Sequence, residues 1–438
     1  MKYRKTTTTI SLQLLLVAIA MLFFSALYAQ EIPIDTSFSR QILRYEEYIE
    51  KVGTQNLGYV AEKFNINIAE AKILSASIFP DPEIGFGWFD NGERRLNMGY
   101  GFTSELSWTV ELGKKRKARI NLAQSEYLLV RYLVQDYFRN LRADATLAYL
   151  QALQNRQLLD VQISSYRTIY QLAQSDSIRF KLGIITDIDA RQSKLEAQTM
   201  LNDVFQAEAE WKTSLATLSI LVGTQQTDTL FIPQGQLEKF ERSFNLEELI
   251  TTAQNNRADL LAALQSKRVA QNLLQIAKSN RIPDISISTG VNYVSYVRNI
   301  IAPTPSFTSV NVEIAFPLKI SNNRPGELQA NYYLAQQTDA QYKQVELAIQ
   351  VEIIQAYFKY LALQKQVEQF KNGLLTEAKA VLDGKIYSYQ RGETSLLEVL
   401  NAQRTYIGIQ QAYYQTLYNY AAALVELERA AGIWDINF

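Results

Sequence analysis

Apolar and polar residues alternate in four short segments of the chain, two in each half. In the clearest segment, 105–112, the order Glu-Leu-Ser-Trp-Thr-Val-Glu-Leu places every apolar residue on one side. This period of two predicts strands with one apolar and one polar face. Each segment has about seven to eleven residues, close to the length that a tilted strand needs to cross a bilayer. We therefore predict two β-hairpins, at 83–112 and 284–318. The alternative is a pair of soluble hairpins packed on helices.

Long stretches that favour helix follow each strand pair. Residues 117–180 contain neither proline nor glycine, and as one helix they would span about 95 Å at ~1.5 Å per residue. The return segment, 186–222, has apolar residues at steps of three and four, which is typical of a helix that packs along a partner. The second half follows the same course from Gly326 through Gly392 to Gly432. Two long antiparallel helical hairpins are predicted, and their many polar residues place them in water.

The two halves repeat each other at a separation of a little over two hundred residues. Pro80-Asp81 recurs as Pro283-Asp284, and further residues recur at one constant offset: Gly183 as Gly392, Asp189 as Glu398, Leu215 as Leu424, and Gly223 as Gly432. A repeat of this length predicts two copies of one structural unit. The predicted division is a signal peptide (1–29), a first repeat (30–223), a linker (224–245) and a second repeat (246–438).

The first 29 residues are typical of a secretory signal peptide. Lys2, Arg4 and Lys5 precede an apolar run over 14–24, and Leu27-Tyr28-Ala29 offers a cleavage site. The run is shorter than the roughly 20 residues that a transmembrane anchor needs, so cleavage is the preferred interpretation. We expect export to the periplasm or outer membrane of a Gram-negative bacterium.

The composition excludes several classes of function. The chain has no cysteine and no histidine, which argues against disulfides, thiol or imidazole catalysis and the usual zinc sites. The 44 basic and 44 acidic residues cancel, so nothing indicates a nucleic-acid partner. No catalytic setting is recognisable among the carboxylates. We expect no enzymatic activity, no cofactor and no bound metal.

Four strands cannot close a membrane barrel by themselves. Such barrels need about eight strands or more, because an open edge in lipid leaves backbone groups without hydrogen-bond partners. Three copies of the chain would supply twelve strands. A periplasmic coiled-coil scaffold is the alternative, although it has no need for strands of bilayer length.

These features together resemble the TolC family of outer-membrane efflux ducts, over essentially the whole mature chain. The resemblance is carried by the two Pro-Asp strand starts, by Gly113-Lys114-Lys115-Arg116 after the first hairpin, and by the helical tips Lys181-Leu182-Gly183 and Gln390-Arg391-Gly392. It implies a mainly α homotrimer with a shared twelve-stranded barrel and a helical barrel that crosses the periplasm, so that 224–245 becomes an equatorial linker. It also implies docking to a periplasmic adaptor and an inner-membrane pump of the RND type.

The resemblance implies a channel mouth at the second tip, where the family has acidic rings. The matching stretch here reads Glu398-Val399-Leu400-Asn401, and Asp189 is the counterpart of Glu398 in the first half. Three copies of Glu398 near one axis would favour cations. The family's closing tyrosine is present as Tyr389, whereas its arginine is replaced by Thr394. Ordinary solvated helix faces are the alternative for the two acids.

Two further surfaces follow from the resemblance. The tips are expected to contact adaptor hairpins through small side chains and backbone, at Gly183, Ile184, Thr186, Gly392, Glu393 and Ser395. Lys114, Lys115, Arg116 and Trp108 are expected at the membrane interface, where the cations would hold phosphate headgroups. A plain solvated helix start is the alternative for these cations.

The stretch 109–116 is similar to the branch of the family that exports heavy-metal cations. Small organic molecules are the alternative cargo, and a secretion duct for polypeptides is a further alternative.

Overall fold

The computed structural model describes residues 39–90, 98–224, 229–237, 240, 242–298, 300–318 and 324–436. The predicted signal peptide lies outside these residues.

The described chain is mainly helical, and this part of the predicted fold is confirmed. The helices of the first half are α1 (Tyr45–Gln55), α2 (Leu57–Ala76), α3 (Lys115–Lys181) and α4 (Asp187–Val222). Those of the second half are α5 (Leu246–Asn256), α6 (Ala258–Asn280), α7 (Pro325–Gln369), α8 (Leu375–Gln390) and α9 (Leu396–Ala431). Among the described residues, none of these helices is both long enough and apolar enough to cross a bilayer.

Four of the strands form one antiparallel sheet: β2 (Glu83–Asp90), β3 (Tyr100–Val110), β5 (Ile285–Val294) and β6 (Phe307–Ala315). Their order in the sheet is β2-β3-β5-β6. The two hairpins, β2-β3 and β5-β6, lie side by side because β3 pairs with β5. Strands β2 and β6 are therefore the two edges of this sheet.

The sheet has one apolar and one polar face, as the alternation predicts. Cross-strand partners on the apolar face include Ile84 with Leu106 and Ile287 with Ile314, and all four side chains are exposed. The opposite face has serine, threonine, asparagine, glycine and glutamate at most positions. Large exposed apolar faces mark contact surfaces with lipid or protein.

A second, two-stranded parallel sheet joins β1 (Ser39–Arg44) to β4 (Thr229–Gln234). The hydroxyl of Tyr149 on α3 donates to the backbone oxygen of Leu43 at 2.9 Å, and it lies 2.7 Å from that of Gln234. This sheet lies against the largest hydrophobic core of the described chain, which also includes residues of α1, α3, α4, α5, α7 and α9. The segment that the sequence assigns to a linker thus contributes a strand.

The two long hairpins differ in continuity. Helix α3 runs for 67 residues, or about 100 Å at ~1.5 Å per residue, without a break. Its counterpart is interrupted at Phe370–Leu374, where the backbone forms a π-type turn between α7 and α8. Gly373 has φ 113° at this point, a conformation that is accessible to glycine at little cost.

The ends of α4 and α9 are built alike. Gly223 and Gly432 end these helices with φ 78° and 69°. A Cβ atom on Gly223 would lie 2.4 Å from the backbone oxygen of Gln55, where α1 passes into α2. One on Gly432 would lie 3.0 Å from Cγ of Arg257, where α5 passes into α6. Each glycine thus allows a close approach to the same place in its own half.

We predict that Gly223→Ala lowers the stability of the protein more than Gly183→Ala. Both positions have positive φ, which costs an alanine about 1–2 kcal/mol. A Cβ on Gly183 meets open space, whereas one on Gly223 overlaps the backbone of Gln55. Thermal unfolding followed by helical circular dichroism at one scan rate measures the difference. Equal losses of Tm would contradict this account of Gly223.

Candidate functional site

The tips of the two helical hairpins have the same turn geometry. At the first tip the Ile184 N–H donates to the Arg179 oxygen at 2.9 Å, and the Gly183 N–H donates to the Phe180 oxygen at 2.9 Å. At the second tip Glu393 and Gly392 donate in the same way to Ser388 and Tyr389, at 2.9 and 3.0 Å. This pair of bonds is a Schellman motif, which closes a helix with a left-handed residue. Gly183 and Gly392 are that residue.

Thr186 caps the N-terminus of the helix that leaves the first tip. The Thr186 hydroxyl accepts from the Asp189 N–H at 3.2 Å and donates to its carboxylate at 2.7 Å. Asp189 therefore stabilises the N-terminus of α4, where the helix dipole also favours an acid. This contact gives Asp189 a local structural role.

Glu398 takes a different partner at the second tip. Ser395 is the residue before α9, but its side chain makes no capping bond. The Glu398 carboxylate instead forms an ion pair with Lys385 of α8. This ammonium group holds the pKa of Glu398 below its ordinary value. The pair joins α8 to α9 and places a positive charge beside the acid that the sequence assigns to the mouth.

Tyr389 joins the two tips. Its hydroxyl donates to Oδ1 of Asp176 on α3 at 3.1 Å. The guanidinium of Arg179 lies 4.9 Å from the centre of the Tyr389 ring and 3.6 Å from the Asp176 carboxylate. Asp176 is fully buried, and Tyr389 is also buried. The Tyr389 phenol thus connects α8 to the buried carboxylate on α3, and the Arg179 guanidinium of α3 lies against both groups.

Burial raises the pKa of Asp176 above its ordinary value, and it raises the pKa of Tyr389 as well. The folded chain therefore binds a proton at Asp176 more tightly than the unfolded chain does. The contribution of this group to stability is complete below the ordinary aspartate pKa, and it is lost as the pH rises through the raised value. Asp176 therefore contributes more to the stability of the folded chain in acid than it does at higher pH.

A small apolar cluster surrounds this connection. It is separate from the main core, and it combines side chains of α3, α4, α8 and α9: Ile169, Leu172, Ala173, Ala197, Met200, Tyr389, Leu396, Val399 and Leu400. Further from the tips, Arg404 of α9 donates to both carboxylate oxygens of Glu196 on α4, at 3.0 and 3.1 Å. The two hairpins of one chain are thus held together at their distal ends.

The remaining tip residues are exposed. Asn401 lies one turn beyond Glu398 on α9 and faces solvent, as do Gly183, Thr186, Gly392, Glu393 and Ser395. At the first tip, Leu182 and Ile184 are 69% and 60% exposed. These two aliphatic side chains give the first tip an exposed apolar surface.

The predicted membrane-interface residues divide into two groups. Lys115 donates to Oδ2 of Asp284 at 2.7 Å, and Arg116 donates to the Ser77 oxygen at 2.6 Å. These two cations fasten the start of α3 to neighbouring segments. Lys114 and Trp108 are exposed, and only these two of the four are open to an external partner.

Among the residues that the structure describes, no group of three or more acidic, histidine or cysteine side chains could hold a metal ion.

Sequence reasoning missed Asp176, Arg179 and Lys385. Asp176 continues the apolar stripe of Ile169, Leu172 and Ala173 at helical spacing, and an acid on a buried stripe was the available signal. The pair of Lys385 and Glu398 crosses between two helices, so no local pattern marks it.

Comparison with protein families gives a match to the family described as outer membrane efflux protein, over residues 61–224 and 249–433. The two matched segments fall one in each half of the chain.

Individual proteins similar to this chain agree with that match. The cobalt-zinc-cadmium resistance protein CzcC of Cupriavidus metallidurans is 21% identical over 390 residues, with 89% of this chain and 90% of the relative covered. The outer membrane protein TolC of Vibrio cholerae is 23% identical, with 78% and 79% covered. Among solved structures, CusC superposes with a TM-score of 0.73 at 17% identity, with 89% of this chain and 92% of the other covered.

We predict that Tyr389→Phe loosens both tips. The variant leaves the buried Asp176 carboxylate without its phenol donor, a loss of about 1–3 kcal/mol. Hydrogen exchange of amides near 172–180 and 386–400 is expected to become roughly ten-fold faster. Tyr387→Phe is the matched control, because that tyrosine is exposed and lies two residues away. Equal exchange in the two variants would contradict the role of Tyr389.

Proposed function

Because the chain belongs to the outer membrane efflux protein family, we propose that three copies form one duct that passes small molecules or metal cations across the periplasm and the outer membrane. As a member of this family, the chain is a passive outer-membrane efflux channel and not an enzyme. Channels of this family are homotrimers that pair with periplasmic adaptors and inner-membrane pumps. The pump does the work, and the duct supplies a water-filled path.

The two-faced sheet with two open edges is the observation that carries this proposal. In lipid, each unpaired backbone group costs several kcal/mol, so strands β2 and β6 need partners there. The apolar face suits lipid, and the polar face suits a water-filled lumen. Four strands from each of three copies make a closed wall of twelve.

The proposed membrane interface of this duct lies at the junction between the four-stranded sheet and the helices. Trp108 stands near the end of β3 on the apolar face, where its cross-strand neighbour is Ile287. An indole suits the interface between hydrocarbon and headgroups. Lys114, which begins the helical part, would meet phosphate headgroups of the inner leaflet. Lys115 and Arg116 stabilise this junction through their hydrogen bonds to Asp284 and Ser77.

The helical tips are the proposed contact with the adaptor. Ile184 adds apolar surface to the first tip, while Gly183 and Thr186 offer backbone and small polar groups. Gly392, Glu393 and Ser395 offer the corresponding groups at the second tip. Both turns are closed by their own hydrogen bonds, so they present a fixed shape to the partner.

The mouth of the duct is proposed at Glu398 and Asn401, with Asp189 and Tyr389 in support. Three copies of the acid would lie near one axis, but each has Lys385 beside it. The charge of the ring is thereby reduced. The connection of Tyr389 to Asp176 would hold α8 against α3 when the mouth is closed.

Metal cations are the first candidate cargo. CzcC, a relative over nearly the whole chain, is named for cobalt, zinc and cadmium resistance. The chain has no cysteine and no histidine to hold soft metals, so the ions would pass hydrated. Small organic molecules are the second candidate.

The channel function is tested by single-channel recording in planar bilayers. We expect discrete ohmic conductance steps from the purified mature protein. A protein that never leaves the aqueous phase would contradict the proposal, as would an inserted Tyr389→Phe variant that gives no conductance.

The cargo is tested in a deletion strain. Loss of the gene is expected to increase sensitivity to cobalt, zinc or cadmium, with recovery on re-expression. Sensitivity to organic dyes alone would favour the second candidate.

We predict opposite effects on ion preference from the two members of the tip ion pair. Glu398→Gln leaves Lys385 uncompensated and should lower the cation-to-anion permeability ratio, whereas Lys385→Gln should raise it, each by roughly two-fold at low salt. Reversal potentials in a salt gradient measure both variants. An unchanged ratio in both would place the pair away from the ion path.

A further inference from the structure

We propose that the seam between neighbouring copies pairs β6 of one chain with β2 of the next in a defined register, with Ala315 opposite Gly85 and Glu313 opposite Gly87. The inference rests on the proposed trimer and specifies how its copies join. The register comes from a junction that the chain already contains between its own two hairpins.

The two hairpins of the sheet correspond residue by residue. Within the first hairpin Glu83 pairs with Ser107, and within the second Ser286 pairs with Ala315. Glu83 stands two residues after the Pro-Asp of its half, and Ser286 stands two residues after the Pro-Asp of the other. Strand β2 therefore corresponds to β5, and β3 corresponds to β6, with these two pairs as the fixed points.

Two identities support this correspondence. It makes Gly87 equivalent to Gly290, and it makes Glu105 equivalent to Glu313. Equivalent residues also lie on the same face of the sheet, since Leu106 and its equivalent Ile314 are both on the apolar face. A slip of one residue would invert every side chain.

The junction between the hairpins supplies the template. Strand β3 pairs with β5 through Ser107 with Ser288, and through Glu105 with Gly290. In this chain the last strand of one hairpin thus meets the first strand of the next. The seam between copies also joins a last strand to a first strand. Strand β6 is the last strand of the second hairpin, and β2 is the first strand of the first hairpin.

Transfer of the template gives the register of the seam. In the junction inside the chain, Ser107 pairs with Ser288. The residues equivalent to these two are Ala315 and Gly85, which therefore pair at the seam. In the same way, the pair of Glu105 and Gly290 gives Glu313 and Gly87. On the apolar face the transfer gives Ile314 with Phe86 and Val312 with Trp88. Glu105 within the chain and Glu313 at the seam are thus each set opposite a glycine.

Two properties of the free edges agree with a missing neighbour of this kind. Ser288, inside the template junction, is 8% exposed, whereas its equivalent Gly85 on the edge is exposed. A Cβ atom on Gly85 would meet nothing within 4 Å. Because strands alternate in direction across the sheet, β6 and the β2 of a second copy also meet antiparallel.

The absence of cysteine from the chain permits a clean cross-linking test. The variant Gly85→Cys with Ala315→Cys is oxidised in membranes and run on a non-reducing gel. Opposed residues of an antiparallel pair have Cβ atoms about 4.5–5.5 Å apart, close enough for a disulfide after a small adjustment. We expect covalent dimers and trimers that a reductant returns to monomers.

Two matched double variants serve as the positive and the negative control. Ser107→Cys with Ser288→Cys is the equivalent pair inside one chain, and it should lose its free thiols at monomer size. Gly85→Cys with Asn311→Cys lies four residues out of register and should stay reduced. Val312→Cys with Trp88→Cys repeats the test on the other face, should the first variant not fold.

The proposed register is overturned if both in-register seam pairs stay reduced while the control inside the chain oxidises, or if the out-of-register pair oxidises in their place. Light scattering of the unoxidised variants separates this failure from that of the assembly. Trimers without cross-links would refute the register alone. Monomers would refute the trimer, and the register with it.

Discussion

The structure depends on backbone hydrogen bonding in the hydrocarbon region of the membrane, where no water is present to act as a partner. A sheet of four strands has two edges, and an edge that faces hydrocarbon leaves its N–H and C=O groups without partners. The side chains of β2 and β6 point to the two faces of the sheet, whereas the unpaired groups lie along its edges, so a neighbouring strand is the partner that fits them. We therefore propose that the chain completes its membrane structure with copies of itself. The long helix α3 begins shortly after β3 ends.

Much of this architecture could be predicted from the sequence. The alternation over 105–112 marked strand β3, and the stretch without glycine or proline marked α3, because both are properties of consecutive residues. The small sheet of β1 and β4 was missed, since two strands of six residues separated by most of a repeat leave no periodic signal. The interruption at Phe370–Leu374 was also missed, although Gly373 stands at its centre.

The candidate site was less predictable because its contacts are long-range. Sequence placed Glu398 and Tyr389 at the second tip, but their partners come from other helices: Lys385 from α8, and Asp176 from α3. From the sequence, the basic run at 114–116 was interpreted as one surface. The fold divides it, since Lys115 and Arg116 turn to Asp284 and Ser77 and leave Lys114 exposed. Charge patterns locate such residues but do not assign their partners.

One chain cannot close its own sheet into a barrel, and we propose that three chains do so together. Native mass spectrometry of the mature protein, released from lipid or detergent, measures the number of copies. We expect a single species with three times the mass of the chain, recovered from the membrane fraction. A monomer that is stable in the aqueous fraction would contradict this proposal.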